Sequence, residues 1–417
     1  MSHRIAIVGS GPSGFYAVDG LSRALPGCRI DIIDRLRTPY GLVRFGVAPD
    51  HQGTKAVARQ FERLALKPGI RFLGGIELGR DITLAELRAC YDAVVIATGA
   101  AQDRKLGIPG EDLPGVFGSW AFVGWYNGHP DFAALDVKLP GSAVAVIGNG
   151  NVAIDLVRVL AKTPQEMQAS DLCDHAAAVI HAANLTDIYM IGRRGPIEAN
   201  FTSGELSELG HLARAVPVIE GAAIPASSGA TDPAVAKVKD KNLEIMRGFA
   251  GNVAGSKPIT IHLLFNHRPV AIEGAGRAER LLVEPSGGGA ARFLPAGTVI
   301  SAIGYRSPAL DGLGLDDARG VIANREGEIE PGLYVVGWAK RGPSGVIATN
   351  RSDSLAVADR IAARLKAAAP AESPALDELL SARGIVADDF AAWQAVDRAE
   401  IEAGKAVGRP RRKHIPR

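Results

Sequence analysis

The stretch Arg4-Ile-Ala-Ile-Val-Gly9-Ser-Gly11-Pro-Ser-Gly14 decides the fold class. Its first five residues form the apolar run of a fully buried strand, and the glycines lead into a helical pattern that extends to about Ala24. A second buried strand, from Cys28 to Asp34, completes a strand–helix–strand unit. The sequence therefore predicts an α/β fold whose first domain has a Rossmann-like parallel sheet.

The spacing of the three glycines is typical of a dinucleotide-binding loop. Gly9 permits a tight turn, Gly11 lets the backbone approach a pyrophosphate, and Gly14 allows close packing of helix on strand. The helix N-terminus then offers unpaired N–H groups and a favourable dipole to the diphosphate. Asp34 lies 20 residues after Gly14, the spacing expected of an acid that binds ribose hydroxyls.

A second loop, Gly148-Asn-Gly150-Asn-Val-Ala153, follows the buried strand Ser142–Ile147 and lies 139 residues after the first. Two loops predict two dinucleotides, hence a two-dinucleotide-binding flavoprotein with two Rossmann-like domains, a flavin and a nicotinamide being the economical pair. The next strand, Leu185–Ile191, ends in Gly192-Arg193-Arg194, and guanidinium groups suit a phosphate dianion. The second site should therefore bind NADPH, and the first, where Asp34 would repel a 2′-phosphate, should bind FAD.

Composition argues against a nucleic-acid-binding, membrane-spanning or secreted protein. The 417 residues include 47 basic and 45 acidic side chains, so two domains are expected and no nucleic-acid partner is indicated. No stretch approaches the ~20 apolar residues of a membrane span, and a strand that begins at Arg4 leaves no room for a signal peptide. Three cysteines without a CxxC predict neither a redox pair nor a chain-encoded metal site, and they favour a reducing, cytoplasmic location.

The remaining segments carry less specific patterns. The 40 residues from Ala153 to Arg193 predict an inserted helical excursion over 163–183. A single helix is predicted from Thr54 to Leu66, and strands with glycine-rich turns over 217–295, including the loop Ser286–Ala291. The basic run Arg409–His414 is typical of a solvated, frayed terminus.

Four longer motifs resemble those of adrenodoxin reductase and of bacterial ferredoxin–NADP reductases of the same type, and the resemblance extends over almost the whole chain. The motifs are Gly41-Leu-Val-Arg-Phe-Gly-Val-Ala-Pro-Asp-His51, Gly148-Asn-Gly-Asn-Val-Ala-Ile-Asp155, Gly192-Arg-Arg-Gly-Pro196 and Gly337-Trp-Ala-Lys-Arg-Gly-Pro-Ser-Gly-Val-Ile347.

The resemblance implies two sets of cofactor contacts. Those to FAD are Gly9, Gly11, Ser13, Gly14, Asp34, Leu42, Leu78, Trp338, Gly345, Val346 and Ile347. Those to NADP are Arg104, Asn149, Gly150, Asn151, Val152, Arg193, Arg194 and Glu205. His51 and Glu208 match a pair near the nicotinamide–flavin contact, with a role in positioning or proton supply. Without the resemblance, His51 is more typical of a loop or helix cap, and Glu208 of a solvated helix face.

The resemblance also implies the domain plan and the reaction. FAD-domain segments 1–106 and 305–417 should flank an inserted NADP domain, 107–304. Hydride from NADPH should reduce FAD, which passes single electrons to a ferredoxin-type iron–sulfur protein. Three alternatives stay open: a reductase of flavodoxin, quinone or another small acceptor, an electron-input subunit like that of glutamate synthase, and a non-catalytic scaffold.

Overall fold

The computed structural model describes residues 2–345 and 347–415, so the predicted FAD contact Val346 lies outside the described residues. The strands in the described part are, in chain order, β1 Arg4–Val8, β2 Arg29–Asp34, β3 Ile70–Gly74, β4 Ala93–Ile96, β5 Gln102–Asp103, β6 Val116–Gly118, β7 Ala143–Ile147, β8 Asp187–Ile191, β9 Ala215–Glu220, β10 Ile259–Leu264, β11 His267–Glu273, β12 Arg280–Pro285, β13 Arg292–Pro295, β14 Thr298–Ser301, β15 Tyr305–Arg306, β16 Leu315–Asp316, β17 Val321–Ile322, β18 Glu328–Glu330 and β19 Leu333–Val335.

The helices are, again in chain order, α1 Pro12–Ala24, α2 Leu42–Phe45, α3 Gln52–Lys55, α4 Ala58–Ala65, α5 Leu84–Cys90, α6 Ser119–Asn127, α7 Asn151–Ala161, α8 Asp174–Ala182, α9 Ser203–Glu208, α10 Pro233–Phe249, α11 Trp338–Arg341, α12 Ile347–Lys366, α13 Leu376–Ala382 and α14 Phe390–Lys405.

The described residues divide into two compact units. Unit 1 comprises those within 1–47, 51–102 and 304–403, and unit 2 those within 48–50, 103–303 and 404–417. The chain therefore leaves unit 1 after Gln102 and returns to it after Ile303. Two short segments, 48–50 and 404–417, group with unit 2 although the predicted division places them with the flanking domain. Which unit binds which cofactor stays a prediction.

The sheet of unit 1 has the strand order β18-β19-β4-β1-β2-β3. Strands β1, β2, β3, β4 and β19 are parallel, and β18 is an antiparallel edge. Alternate residues of β1 face opposite layers: Ile5 and Ile7 pack with helices α1, α4 and α12, while Ala6 and Val8 pack with α5 and α13. A Cβ on Gly20 of α1 would lie 2.6 Å from the Ala358 Cβ, so glycine allows α1 to pack closely on α12.

The sheet of unit 2 is wholly parallel, with the order β6-β14-β7-β8-β10-β9. A separate antiparallel sheet, β11-β12-β13, belongs to the same unit. In each large sheet one central strand, β1 or β7, lies between two parallel neighbours, and its carboxyl end leads into a glycine loop. This arrangement places ligands at the carboxyl edge of the sheet. The predicted α/β class with two Rossmann-like sheets is confirmed.

Three local predictions were wrong: the single helix over Thr54–Leu66, the region of strands over 217–295, and the frayed basic run near the C-terminus. The helix predicted over Thr54–Leu66 is two helices, α3 and α4, because hydrogen bonds such as Val57 N to the Thr54 carbonyl tighten to an i→i+3 pattern between them. The region 217–295 contains the long helix α10 besides its strands. Asp232 caps α10 by accepting hydrogen bonds from the backbone N–H groups of Ala234 and Val235.

The basic C-terminal run, predicted to be solvated and frayed, is docked on unit 2. The Arg409 guanidinium forms an ion pair with Asp174 at 2.8 Å and donates to the Ser170 carbonyl at 3.2 Å. The Lys413 ammonium lies 3.4 Å from the Asp171 carboxylate, and both side chains are buried. Charge pairing therefore orders this segment.

Two further observations concern chain chemistry. Cys28, Cys90 and Cys173 are buried and take part in no disulfide among the described residues. No helix in the described part of the chain is both long and apolar enough to cross a bilayer.

A buried ion pair fixes α14 against α2. The Arg44 guanidinium donates to both Glu400 carboxylate oxygens, at 2.9 and 2.6 Å, and the two side chains are only 6% and 0% exposed. The guanidinium also lies over the Trp393 ring, 4.9 Å from its centroid. A charge this deeply buried is tolerated only while its partner is present.

Replacing Glu400 by alanine should therefore lower the free energy of unfolding by ~3–5 kcal/mol, because it leaves the Arg44 charge buried and uncompensated. Urea denaturation would measure the loss. Glu402→Ala, an exposed change on the same helix, is the matched control and should stay within about 0.5 kcal/mol of the wild type. Equal losses for the two variants would contradict the assignment.

A histidine bridges three neighbouring strands of unit 2. His262 on β10 lies 2.5 Å from Glu220 of β9 through Nδ1 and 2.8 Å from Asp187 of β8 through Nε2, and its ring stacks on Tyr189. Burial alone would lower the pKa of His262, but the hydrogen bonds to Glu220 and Asp187 raise it above its usual value. The hydrogen bond from His262 is the main reason that the pKa of Glu220 falls to about 2.

The stabilisation by His262 should depend on pH. Its raised pKa means that the contribution is complete below 6.5 and is lost as pH rises through the folded pKa, while that of Glu220 is complete above 4.5 and is lost towards pH 2. His262→Ala should thus cost most stability between pH 4.5 and 6.5 and less above. Unfolding measured across this range, with the exposed His211→Ala as control, tests the window, and a pH-independent loss would refute it.

Candidate functional site

The first glycine loop is shaped by steric contacts within unit 1. Gly9 has a φ of +114°, and a Cβ there would lie 2.5 Å from the Ala97 carbonyl oxygen. A Cβ on Gly14 would lie 2.1 Å from the Gly9 carbonyl oxygen. Any side chain at either position would force the turn, or the start of α1, away from the sheet. These two glycines are therefore required by the fold itself.

Gly11 differs from its two neighbours. Its φ is −76°, which any residue can adopt, and a Cβ there would meet no described protein atom within 4 Å. Gly11 is also the N-cap of α1, and no side chain of the described residues caps this helix. Glycine here leaves open space in front of unused backbone N–H groups, which fits a diphosphate.

Asp34 lies at the end of β2 beside the same loop. Its carboxylate accepts hydrogen bonds from the Ser10 backbone N–H at 2.8 Å, the Ser10 hydroxyl at 2.6 Å and the Leu36 N–H at 2.9 Å. Burial raises the pKa of Asp34, and the hydrogen bonds from Ser10 and Leu36 oppose that rise. Sequence analysis missed Ser10, although it lies inside the glycine motif. The carboxylate is held in place at the loop and keeps acceptor capacity for ribose hydroxyls.

The segment that contains Trp338 adjoins this loop. Gly337 has a φ of +69°, and a Cβ there would lie 1.9 Å from the Ser13 Oγ. The Trp338 ring stacks on Tyr305 with 6.1 Å between centroids, and its Nε1 is buried without a hydrogen-bond partner among the described residues. A buried, unsatisfied donor is costly unless a ligand accepts its proton.

Other residues predicted to contact FAD lie nearby in unit 1. Gly345 has a φ of +77° and precedes α12, which begins at Ile347. Leu42 begins α2 next to Gly41, where a Cβ would lie 3.1 Å from the Gly11 Cα. Leu78 forms a bridge with Ile82 and packs on the cluster that contains Val8.

The second glycine loop repeats the first in unit 2. Gly148 has a φ of +149°, and a Cβ there would lie 2.4 Å from the Ala302 carbonyl oxygen. At Gly150, the N-cap of α7, a Cβ would approach only the Asn200 carbonyl oxygen, at 3.9 Å. No described side chain caps α7. The middle glycine thus again leaves space before an uncapped helix.

Two asparagines join this loop to the next segments. A Cβ on Gly192 would lie 1.6 Å from the Asn149 Nδ2, and the Asn149 Oδ1 is buried without a hydrogen-bond partner in the described part of the chain. The Asn151 Oδ1 accepts from the Thr202 N–H at 2.8 Å, which holds the start of α9, the helix of Glu205. Sequence analysis missed Thr202, and only its position before a helix could have suggested it.

Arg193 and Arg194 follow β8 directly and are both exposed. Neither guanidinium forms an ion pair with another described residue. Arg104 lies half-buried in unit 2, just after β5, and Val152 is half-buried in the first turn of α7. Adjacent arginines without a carboxylate partner form a local positive charge that suits a phosphate dianion.

Glu208 ends α9, and its partly exposed carboxylate pairs with a charge cluster centred on buried Arg158. Its carboxylate lies 3.1 Å from the Nε of Arg158, a side chain that is 0% exposed. Arg158 also pairs with Asp155 at 2.8 Å and with Asp50, which in turn pairs with Lys162 at 2.5 Å. Burial would lower the pKa of Arg158, but the charges of Asp155 and Asp50 raise it. The Glu208 side chain is 41% exposed, as expected of a solvated helix face, and it is also paired with a buried arginine.

His51 lies in unit 1 at the N-cap position of α3. Its side chain makes no cap hydrogen bond, so the helix-capping interpretation is not supported. It is half-buried, and its role near a bound cofactor stays a proposal.

Comparisons with known proteins agree with this geometry. A family model described as pyridine nucleotide-disulphide oxidoreductase matches residues 3–191. NADPH-ferredoxin reductase FprA of Mycobacterium leprae is 39% identical, over 98% of this chain and 95% of its own length. The mitochondrial NADPH:adrenodoxin oxidoreductase of Arabidopsis thaliana is 36% identical over 99% and 93%. The solved structure of Mycobacterium tuberculosis FprA in complex with NADPH gives a TM-score of 0.93 at 37% identity, covering 100% of this chain and 98% of that one.

Because Gly11 faces open space and Gly14 faces the protein backbone, substitution at Gly11 should reduce mainly FAD affinity and substitution at Gly14 mainly thermal stability. Gly11→Val should weaken FAD binding about tenfold or more, equivalent to ~1.4 kcal/mol, because the side chain fills ligand space. It should lower the unfolding temperature of the flavin-free protein only slightly, by the weaker N-cap, since no described protein atom lies within 4 Å of a Cβ at Gly11. Gly14→Val should lower that temperature more.

Flavin titration of the stripped protein and thermal unfolding would separate the two effects. A Gly11→Val protein that binds FAD as tightly as the wild type would remove this loop from the cofactor site.

Proposed function

The chain belongs to the family of NADPH-ferredoxin reductases and NADPH:adrenodoxin oxidoreductases, and we propose that it catalyses their reaction. It takes electrons from NADPH and passes them, through FAD, one at a time to a ferredoxin-type iron–sulfur protein. The observation that carries this proposal is similarity over almost the full length of both chains. Two complete dinucleotide loops, each with an uncapped helix behind it, support it independently.

Unit 1 is proposed to hold FAD. The loop Gly9–Gly14 and the N-terminus of α1 would bind the diphosphate, and Asp34 would accept hydrogen bonds from the ribose. The unsatisfied Trp338 Nε1 and the start of α12 fit the flavin end of the cofactor. When bound, FAD supplies the hydride acceptance and single-electron transfer that amino acid side chains cannot provide.

Unit 2 is proposed to bind NADPH. The backbone from Asn149 to Val152 would bind the diphosphate at the N-terminus of α7, where N–H groups and the helix dipole favour an anion. Arg193 and Arg194 would bind the 2′-phosphate, which NADH lacks. Arg104 and Glu205 are proposed as further contacts within the same unit.

His51 and Glu208 are proposed to act near the nicotinamide. The ion pair with buried Arg158 supports a positioning role for Glu208, because it fixes the carboxylate in one orientation. His51 is proposed to position the nicotinamide or supply a proton.

A cytoplasmic location is proposed on chemical grounds. The three buried cysteines without disulfides fit a reducing compartment. Cell fractionation tests this point, and recovery of the protein from an oxidising compartment would contradict it.

Anaerobic mixing tests the reaction itself. NADPH should bleach the flavin absorbance, and addition of [2Fe–2S] or [4Fe–4S] ferredoxins should then reduce cytochrome c. Reduction of flavodoxin or quinone with no turnover of any ferredoxin would favour the small-acceptor alternative. A flavin that NADPH fails to bleach would indicate a non-catalytic scaffold.

The arginine pair should determine coenzyme preference. Replacing Arg193 or Arg194 with alanine should lower kcat/KM for NADPH about 10- to 100-fold, the range expected for a charged hydrogen bond worth ~1.5–3 kcal/mol. The value for NADH should change little, because NADH carries no 2′-phosphate.

Lys237→Gln is the matched control, since it removes one exposed positive charge from the same unit. Steady-state kinetics with ferricyanide as acceptor would measure all variants. Equal losses for NADPH and NADH would refute the role of the arginines.

A further inference from the structure

Two residues far from Arg193 and Arg194 in sequence hold the backbone of that pair. We propose that Ser286 and Asn266 are positioning residues that present Arg193 and Arg194 to the 2′-phosphate and so determine the preference for NADPH. The proposal rests on the function proposed above, and it extends that function to two residues outside the predicted set of coenzyme contacts.

The evidence is a set of hydrogen bonds to three consecutive carbonyl groups. The Ser286 hydroxyl donates to the Arg193 carbonyl at 2.6 Å. The backbone N–H of Asn266 donates to the Arg194 carbonyl at 3.2 Å, and that of His267 to the Gly192 carbonyl at 3.0 Å. Every carbonyl from Gly192 to Arg194 thus has a donor from the segments that follow β10 and β12.

These donors are themselves fixed relative to each other. The Ser286 N–H donates to the Asn266 carbonyl at 2.7 Å, so Ser286 binds both Asn266 and Arg193. Asn266 has a φ of +55°, a left-handed conformation that asparagine tolerates better than most residues. Its side-chain Nδ2 donates to the Gly221 carbonyl at 3.3 Å. Hydrogen bonds to Ser286 and to Gly221 therefore hold the turn between β10 and β11 in place.

The hydrogen bonds from Ser286, Asn266 and His267 to the carbonyls of residues 192–194 have two consequences for binding an anion. Each carbonyl oxygen carries partial negative charge, and engagement with a donor keeps it turned towards that donor instead of towards a phosphate dianion. A backbone that is already fixed also avoids the entropy cost of ordering it when the phosphate binds, ~1–2 kcal/mol for each residue. Both guanidinium groups stay exposed for a ligand.

These hydrogen bonds suggest what the glycine-rich loop Ser286–Ala291 does: its first residue binds the backbone of Arg193. The loop connects β12 to β13, and Gly288, with a φ of +89°, makes its turn. The glycines and alanine of this loop are explained by the turn, but the turn does not explain why the loop begins with a serine. Ser286 is the first residue of the loop, where its hydroxyl reaches the Arg193 carbonyl.

The test is Ser286→Ala, which removes the hydroxyl and keeps the backbone N–H. We expect KM for NADPH to rise about three- to tenfold, as for the loss of one hydrogen bond of ~1 kcal/mol. The kcat with NADPH and KM for NADH should stay unchanged. Ser286→Thr retains a hydroxyl and should restore KM for NADPH. Ser256→Ala, an exposed change in the same unit, is the control.

Competitive inhibitors that lack the nicotinamide provide a second readout, which reports binding of the adenosine end alone. The inhibition constant of adenosine 2′,5′-bisphosphate should rise in Ser286→Ala by the same factor as KM, whereas that of 5′-ADP should not. Asn266→Val, which places a β-branched residue at a positive φ, should have the same selective effect. Flavin content and circular dichroism check that each variant is folded.

The outcomes separate this inference from the proposed function. Unchanged selectivity in Ser286→Ala, together with lost selectivity in Arg193→Ala, would overturn the positioning role and leave the function intact. Equal losses for NADPH and NADH in Ser286→Ala would also overturn it, since they indicate general damage to the unit. Failure of the wild type to oxidise NADPH would instead refute the proposed function.

Discussion

The constraint on which both dinucleotide sites depend is the close passage of a glycine loop against a neighbouring strand. At Gly9 the obstacle to a side chain is the Ala97 carbonyl oxygen, and at Gly148 it is the Ala302 carbonyl oxygen, 2.5 and 2.4 Å from where a Cβ would lie. Each alanine lies just before the point where the chain changes unit, after Gln102 or Ile303. The backbone that leaves each unit therefore forms one wall of its glycine loop, and the order of units along the chain is coupled to the geometry of the sites.

The sequence alone was sufficient to predict the features that short-range patterns specify, namely the buried strands and the glycine turns. Apolar runs such as Ile5–Val8 and the glycine spacing specify buried strands and turns without help from distant residues. Helix α10 was missed although the run Lys239-Asp-Lys241 of three charged residues does not fit the alternation of a strand. The cap at Asp232 with Pro233 behind it is a further helix signal, at the start of a 17-residue helix.

Parts of the site lie beyond any local pattern. Arg158 is central to the cluster around Glu208, yet its partners include Asp50, more than a hundred residues away. The bond from Ser286 to the Arg193 carbonyl likewise joins segments 93 residues apart. Sheet topology brings such groups together, and a motif search identifies only one member of each pair. The family resemblance supplied Glu208, and the arginine pair after β8 supplied Arg193, but the residues that support them could be identified only from the coordinates.

Four arginines of this chain illustrate two opposite electrostatic situations. Arg44 and Arg158 are buried, and each is compensated by carboxylates, because an uncompensated charge in a low-dielectric interior would be too costly. Arg193 and Arg194 are exposed and form no ion pair with any other described residue, although paired arginines such as Arg268 lie in the same unit. Two adjacent cations at the surface repel each other, and hydration and salt only partly relieve that repulsion. A doubly charged phosphate would relieve it directly, and we therefore propose that the feature which is unfavourable in the free protein is the one that favours NADPH over NADH.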